Sequence, residues 1–282
     1  MPTKLAKTPK PISASSDQSL EQSAPHGERG HDNKTTFNQL SRKFKRNIYQ
    51  TFKGRLRLAI LERDFDALNL HQTPLSILDI GAGQGQYALM LAQKGHQLTL
   101  VEPAIEMLNL AQERFQNEGI DATFYHESLE TIPHLSLPQF DLITCHAMIE
   151  WLPDPDLFFQ IALPYLKKGG KLSLLFYNQE GLIYHNLIRG NYYYVDKGQF
   201  QGDKGSLTPI SPISPQWLAK QIENHGLMLL KESGIRTYYD FMAPQARQRI
   251  SEEDHLTMEL RYSEKPGYQA HARYLHWLLE KV

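Results

Sequence analysis

The stretch Ile77 to Gly85 reads I-L-D-I-G-A-G-Q-G, and the strand-like run Leu98-Thr99-Leu100-Val101 that follows ends in Glu102. An apolar run, Leu75 to Ile80, halts at three glycines spaced two apart (Gly81, Gly83, Gly85), and a helical pattern (Tyr87, Leu89, Met90, Leu91) begins at once. Glycines so placed let the chain bend sharply and let a ligand lie close to the backbone. An acid at the end of the next strand can accept hydrogen bonds from both hydroxyls of a ribose. The pair of features constrains the chain to an α/β sheet whose first turn holds a nucleoside-bearing ligand. The spacing is G-x-G-x-G, not G-x-G-x-x-G, and Tyr87 stands near the helix start in place of small residues. No Lys-Ser/Thr pair follows, which disfavours a phosphate cradle. The competing readings are a dinucleotide fold with an altered fingerprint and a plain tight turn.

Composition sets the outer bounds. A chain of 282 residues, 41% apolar and 22% charged, suits one large α/β domain with decorations better than two equal domains. With a net charge of −1, nucleic-acid affinity must come from a local patch. One cysteine, Cys145, excludes a disulfide framework and a cysteine zinc cluster, and it suits a reducing cytoplasm. There is no apolar run of the length a membrane span needs and no signal-peptide core, so neither membrane nor metal is expected.

Four regions follow from patterning. Residues 1–36 carry four prolines and five serines with almost no large apolar side chains, and the expectation is a disordered extension. Residues 37–60 form a basic helical cap: between 37 and 57 there are seven basic residues (Arg42, Lys43, Lys45, Arg46, Lys53, Arg55, Arg57) and no acid. Apolar residues recur at Leu40, Phe44, Ile48, Phe52, Leu56 and Ile60. A strict four-residue spacing drifts by about 40° per step on an α-helix, so a break near Gly54 is expected. Such a basic face is either solvated surface or a footprint for phosphate.

Residues 74–188 alternate strands (75–80, 97–102, 122–126, 140–146, 171–177) with helices (84–94, 104–117, 156–167, 180–188). Pro103 is expected to open the second of these helices, and Gly169-Gly170 to end the third. Right-handed crossovers make the sheet parallel, with the ligand outside its carboxyl ends. Beyond it come a Tyr/Gly/Pro-rich insertion (189–214), a helix at 215–225, a strand at 228–234, a polar helical insertion (241–264) and a closing strand from Arg273 to Leu278.

The glycine turn followed by an acid resembles the S-adenosylmethionine site of class I methyltransferases, L-D-x-G-x-G-x-G and then an acid. Four segments together resemble the tRNA 5-carboxymethoxyuridine methyltransferase family: Phe44 to Tyr49 with Lys53 to Arg57, the glycine turn, C-H-A-M-I-E-W (Cys145 to Trp151), and F-Y-N-Q-E-G-L-I-Y-H-N (Phe176 to Asn186). The resemblance spans about residues 37–280, a single methyltransferase domain over 37–282. It implies a Rossmann-like fold: a seven-stranded, mostly parallel sheet with helices on both faces, the last strand antiparallel. It also implies methylation, from S-adenosyl-L-methionine, of the carboxylate of carboxymethoxyuridine at the tRNA wobble position, giving a methyl ester, with the anticodon stem-loop as partner. This chain departs from the family at Ala82, where the family has Gly, and at Glu102, where it has Asp; either acid can serve a ribose.

A carboxylate nucleophile is ionised at neutral pH, so no general base and no catalytic triad are expected; the work is positioning. For the cofactor the resemblance implies Gly81, Ala82, Gly83 and Gly85 under the methionine part, Asp79 orienting the turn or meeting the amino group, and Glu102 on the ribose. It also implies Ser128 and Leu129 framing adenine, His146 after the fourth strand, and Arg57 reaching in from the N-terminal helix. Substrate-orienting candidates are Tyr49, Lys53, Tyr177, Asn178, His185 and Arg189. Arg236 and Arg273 join Arg189 as candidates for a carboxylate clamp, and Tyr192, Tyr193 and Tyr194 for stacking on an anticodon base. Glu150-Trp151 reads as a structural anchor. The alternative readings are a class I methyltransferase of a small acceptor, such as a quinone or a free carboxylic acid, and an RNA- or partner-binding module that keeps a cofactor pocket for stability.

Overall fold

A seven-stranded sheet with strand order β3-β2-β1-β4-β5-β7-β6 organises the computed structural model. The structure describes residues 51–68, 73–198, 200, 209 and 211–282; the proposed extension 1–36, most of the basic cap and Tyr49 lie outside them. The strands are β1 (Ser76–Ile80), β2 (Gln97–Val101), β3 (Thr123–Tyr125), β4 (Phe140–His146), β5 (Leu166–Tyr177), β6 (Leu227–Ile235) and β7 (Tyr274–Lys281). The first five pair in parallel, while β7 runs antiparallel to β5 and β6 on either side.

The helices are α1 (Phe52–Asp66), α2 (Gln86–Gln93), α3 (Ile105–Asn117), α4 (Asp156–Ala162), α5 (Gln179–Leu187), α6 (Tyr192–Asp196), α7 (Pro215–Asn224), α8 (Pro244–Gln248) and α9 (Glu252–Tyr262). Strand residues alternate between two cores, as the pleat dictates. Ile77, Leu142 and Leu175 face a layer made by α1, α2 and α3, with Leu56, Ile60, Phe65, Leu91 and Phe115. Leu78, Ile143, Cys145, Leu172 and Leu174 face α4 and α7, with Phe158, Phe159 and Leu218. A sheet covered on both faces explains why its strands read as near-continuous apolar runs.

Several boundaries differ from the sequence reading, each for a local reason. The helix that carries Lys53 and Arg57 starts at Phe52 and is capped by Thr51, whose hydroxyl accepts from Gly54 N at 3.3 Å; Gly54 sits in its first turn, and the helix expected before the break lies outside the described residues. Pro103 precedes α3, whose N-cap is Ala104. Gly169-Gly170 do not end a helix. α4 stops at Ala162 and a 3-10 turn follows (Leu163–Tyr165). Both glycines lie in β5, at a register irregularity against β4, with Gly169 at φ +73°. The insertion at 241–264 is two helices, and it is anchored. The buried Glu259 carboxylate accepts from the Thr237 amide (2.9 Å) and hydroxyl (2.7 Å) and from Tyr239 N (2.9 Å), tying α9 to the turn after β6.

Candidate active site

The turn after β1 is set by geometry that favours glycine. Gly81, Gly83 and Gly85 have φ of +72°, +57° and +69°. A Cβ on Gly81 would lie 2.7 Å from Met148 Cγ, whereas a Cβ on Gly83 would meet nothing within 4 Å. The space beside Gly83 is where a ligand can lie against the backbone. The amides of Gly81 and Ala82 donate to Val101 O (2.9 and 3.2 Å), which straps the turn to β2.

Two buried acids flank the turn. Glu102, just after β2, accepts from Gly83 N at 2.8 Å and Ala104 N at 2.9 Å. Burial raises its carboxyl to about 7 against the pull of those amides. Asp79 on β1 accepts from the Thr144 hydroxyl at 2.7 Å and is raised by burial to about 6. Acceptors of this kind suit the hydroxyls and ammonium group of S-adenosylmethionine, and the open space at Gly83 suits its backbone approach.

His146, at the end of β4, lies two residues beyond the pairing of Asp79 with Thr144, hence level with the glycine turn. Its ring packs on Tyr87 of α2 (centroids 4.7 Å apart) and its Nε2 is 2.8 Å from Ser173 Oγ. Arg57 of α1 lies over the Tyr274 ring at 4.7 Å, and its charge acts on both His146 and Glu150. Ser128 is the N-cap of a 3-10 turn (Leu129–His134), and Leu129 is buried in the α4-side core, so its side chain packs there. Glu150 anchors through its main chain, its carbonyl accepting from Ser211 N at 3.0 Å. Its buried carboxyl, raised by desolvation to about 7, is a feature that the anchor reading missed.

Next to Arg57, the ends of β5, β6 and β7 gather a charged cluster. Asp240 accepts from Arg236 Nε at 2.9 Å, is held by Lys53 Nζ at 2.9 Å and lies 3.5 Å from Arg273 Nε. Tyr177 and Tyr274 meet edge to face at 5.2 Å. Arg273 lies over the first ring (5.4 Å) and Arg236 over the second (5.7 Å). Arg236 holds φ +63°, a strained value for a side chain of this kind. His185 is buried against Phe241. Burial and the charges of Arg273 and Arg189 lower its pKa to about 4. Arg189, Tyr192 and Tyr193 are exposed.

Asn178 is placed differently from the substrate role expected of it. It is fully buried, caps α5 by accepting from Glu180 N (3.1 Å), and donates to Ala270 O and Ala272 O (both 2.9 Å). Gly181 presses on the same segment, since a Cβ there would lie 2.2 Å from Ala272 O. The F-Y-N-Q-E-G-L run is therefore in large part a docking motif that seats α5 on the chain before β7.

Among the described residues there is no cluster of three metal-ligating side chains, and no helix is long and apolar enough to cross a membrane. The sheet order, the glycine turn and the acid after β2 define a class I, S-adenosylmethionine-dependent methyltransferase. A family model described as "Methyltransferase domain" matches residues 78–174. Magnesium protoporphyrin IX methyltransferase from Synechocystis PCC 6803, solved with bound S-adenosylhomocysteine, shares the fold: TM-score 0.60, 14% identity, 88% of this chain and 98% of that one. The plantazolicin methyltransferase BamL, also solved with S-adenosylhomocysteine, gives TM-score 0.56 at 17% identity over 88% and 94%.

The tRNA 5-carboxymethoxyuridine methyltransferase of Escherichia coli K12 is 36% identical over 245 residues, 85% of this chain and 94% of the relative. The chain belongs to that family. Ubiquinone biosynthesis O-methyltransferase of Xanthomonas axonopodis pv. citri is more distant, 27% identical over 61% of this chain and 70% of the relative.

Proposed function

We propose that the protein methylates the carboxylate of 5-carboxymethoxyuridine at the wobble position of tRNA, giving the methyl ester, in the cytoplasm where tRNA is modified. The observation that carries this reading is the cluster of Lys53, Arg236 and Arg273 around a single carboxylate, Asp240, next to Tyr177 and Tyr274. Three cations against one anion leave a positive excess that suits a carboxylate substrate. The family relationship to the Escherichia coli enzyme supports the same substrate.

S-adenosylmethionine, when bound, supplies an electrophilic methyl group on a sulfonium. The residues of the chain then have three tasks. Arg236 and Arg273 orient one carboxylate oxygen by charge-assisted hydrogen bonds and leave the other free to attack. Tyr177 and Tyr274, packed under Arg273 and Arg236, hold those guanidiniums in place and keep water from the anion, which strengthens its attack. The glycine turn, Asp79, Glu102, His146 and Arg57 would hold the cofactor and so bring its methyl group to the oriented carboxylate. Held there, the cofactor would supply the methyl group and take back the electron pair of its carbon–sulfur bond, so the residues of the chain would have no proton to move.

The test is incubation with S-adenosylmethionine and tRNA carrying carboxymethoxyuridine, read by nucleoside mass spectrometry. A gain of one methyl on that nucleoside, reduced at least tenfold in Arg273→Ala, is the expected result. No gain, with S-adenosylhomocysteine binding intact by calorimetry, overturns the tRNA reading in favour of a small acceptor.

A further inference from the structure

A line of polar side chains crosses the sheet face beneath α1. Thr144 pairs with Ser173, and Ser173 with Leu278. His146, Ser173 and His276 therefore occupy same-face positions on β4, β5 and β7. Asp64 of α1 completes the line. Its Oδ2 is 2.7 Å from His276 Nδ1, His276 Nε2 is 2.8 Å from Ser173 Oγ, and that oxygen is 2.8 Å from His146 Nε2. Asp64, Ser173 and His276 are 0%, 1% and 1% exposed.

Asp64, His276 and Ser173 have the spacing of a nucleophilic triad, which no sequence pattern had indicated. Ser173 is nevertheless not a nucleophile: no substrate reaches it, and two imidazoles flank its hydroxyl. The line ends instead at His146, beside the cofactor turn.

The direction of the hydrogens follows from its buried end. Asp64 Oδ1 accepts from Arg63 Nε (3.0 Å) and Nη2 (2.6 Å), so Asp64 is a carboxylate and only accepts. Arg63 and Lys231 face Asp64 and Glu264 at this end of the line, two cations to two anions. A neutral His276 carries its proton on Nδ1 and accepts at Nε2. Ser173 then donates to His276 and accepts from His146 Nε2–H. The nitrogen left to a ligand is Nδ1, with a bare lone pair.

We propose that Asp64, His276 and Ser173 are positioning residues that fix His146 as its Nε2–H tautomer and so present Nδ1 as an acceptor to a donor group of the bound cofactor. The groups that act on His146 agree with a neutral ring. Burial and Arg57 from α1 hold its pKa well below the usual range, and from α2 it meets the Tyr87 ring, whose hydroxyl burial keeps protonated and within reach of Ser173. The inference rests on His146 lining the cofactor site, not on the identity of the methyl acceptor.

The test uses the full chain labelled with ¹⁵N-histidine, with two-bond ¹H–¹⁵N spectra at pH 7 and His146→Gln to assign the ring. The expected wild-type pattern is Nε2–H at His146 and Nδ1–H at His276. In Ser173→Ala, His276 keeps its tautomer, His146 loses its single tautomer, and Kd for S-adenosylhomocysteine rises about fivefold. Nδ1–H or imidazolium at His146 in the wild type overturns the proposal, as does an unchanged His146 pattern in Ser173→Ala. Should that variant fail to fold, the wild-type spectrum alone decides. Neither readout needs tRNA, so a wrong acceptor leaves the test intact.

Discussion

Replacing Asp240 with Asn should lower stability and raise affinity for a carboxylate substrate together. Asp240 is 8% exposed and sits among Lys53, Arg236 and Arg273. Burial alone would raise its pKa, but the charge and hydrogen bond of Arg236 and those of Lys53 outweigh it and lower the value from 3.8 to about 2. A folded-state pKa below the unfolded value means a contribution that is present above about pH 4 and lost as pH falls through about 2. The size of the lowering corresponds to roughly 2.5 kcal/mol. Asp240→Asn removes that term and leaves the cations facing one another. The melting temperature should therefore fall by about 5–10 °C at pH 7.

The same change removes the internal competitor for Arg236 and Arg273, so KM for the carboxymethoxyuridine tRNA should fall while kcat changes less. Thermal melts and initial-rate kinetics on one preparation read both effects. An unchanged melting temperature would refute the stability argument, and a raised KM would show that Asp240 builds the clamp rather than competing with the substrate.

Gly181→Ala gains about 1 kcal/mol of helix propensity but drives a Cβ to 2.2 Å from Ala272 O, so a net loss of about 1–2 kcal/mol is expected in urea unfolding, where a gain would contradict the packing. Glu102→Ala should weaken S-adenosylhomocysteine binding by about 10- to 100-fold by calorimetry, because it removes charge-assisted acceptors; equal affinity would remove Glu102 from the site. Between about pH 6.5 and 8 the cofactor-free protein should lose stability, since Glu102 and Glu150, both raised to about 7, are favoured in the folded state only while protonated. The lowered pKa values of His146 and His185 oppose this only at lower pH. Glu150→Gln should flatten the decline in melts across that range, and an unaltered slope would count against its buried carboxyl as the cause.

Much of the molecule is written in short-range pattern. The strand–glycine turn–helix of Leu75 to Leu91 and the acid at 102 determine the cofactor class, because glycine at positive φ and an acceptor after β2 are local requirements. The alternation of apolar runs determines the parallel strands, because a sheet covered on both faces needs them. Boundaries were less legible. Gly169-Gly170 read as a helix stop but lie in a β-strand irregularity, since pairing with β4 overrides a local turn preference. Asn178 looked like a rim residue, yet a cap and two carbonyls 92 and 94 residues away use its whole amide. The cluster around Asp240 and the line from Asp64 to His146 join residues as much as 212 positions apart. No spacing rule carries such partners; they meet because β7 inserts between β5 and β6, and α1 packs across all three.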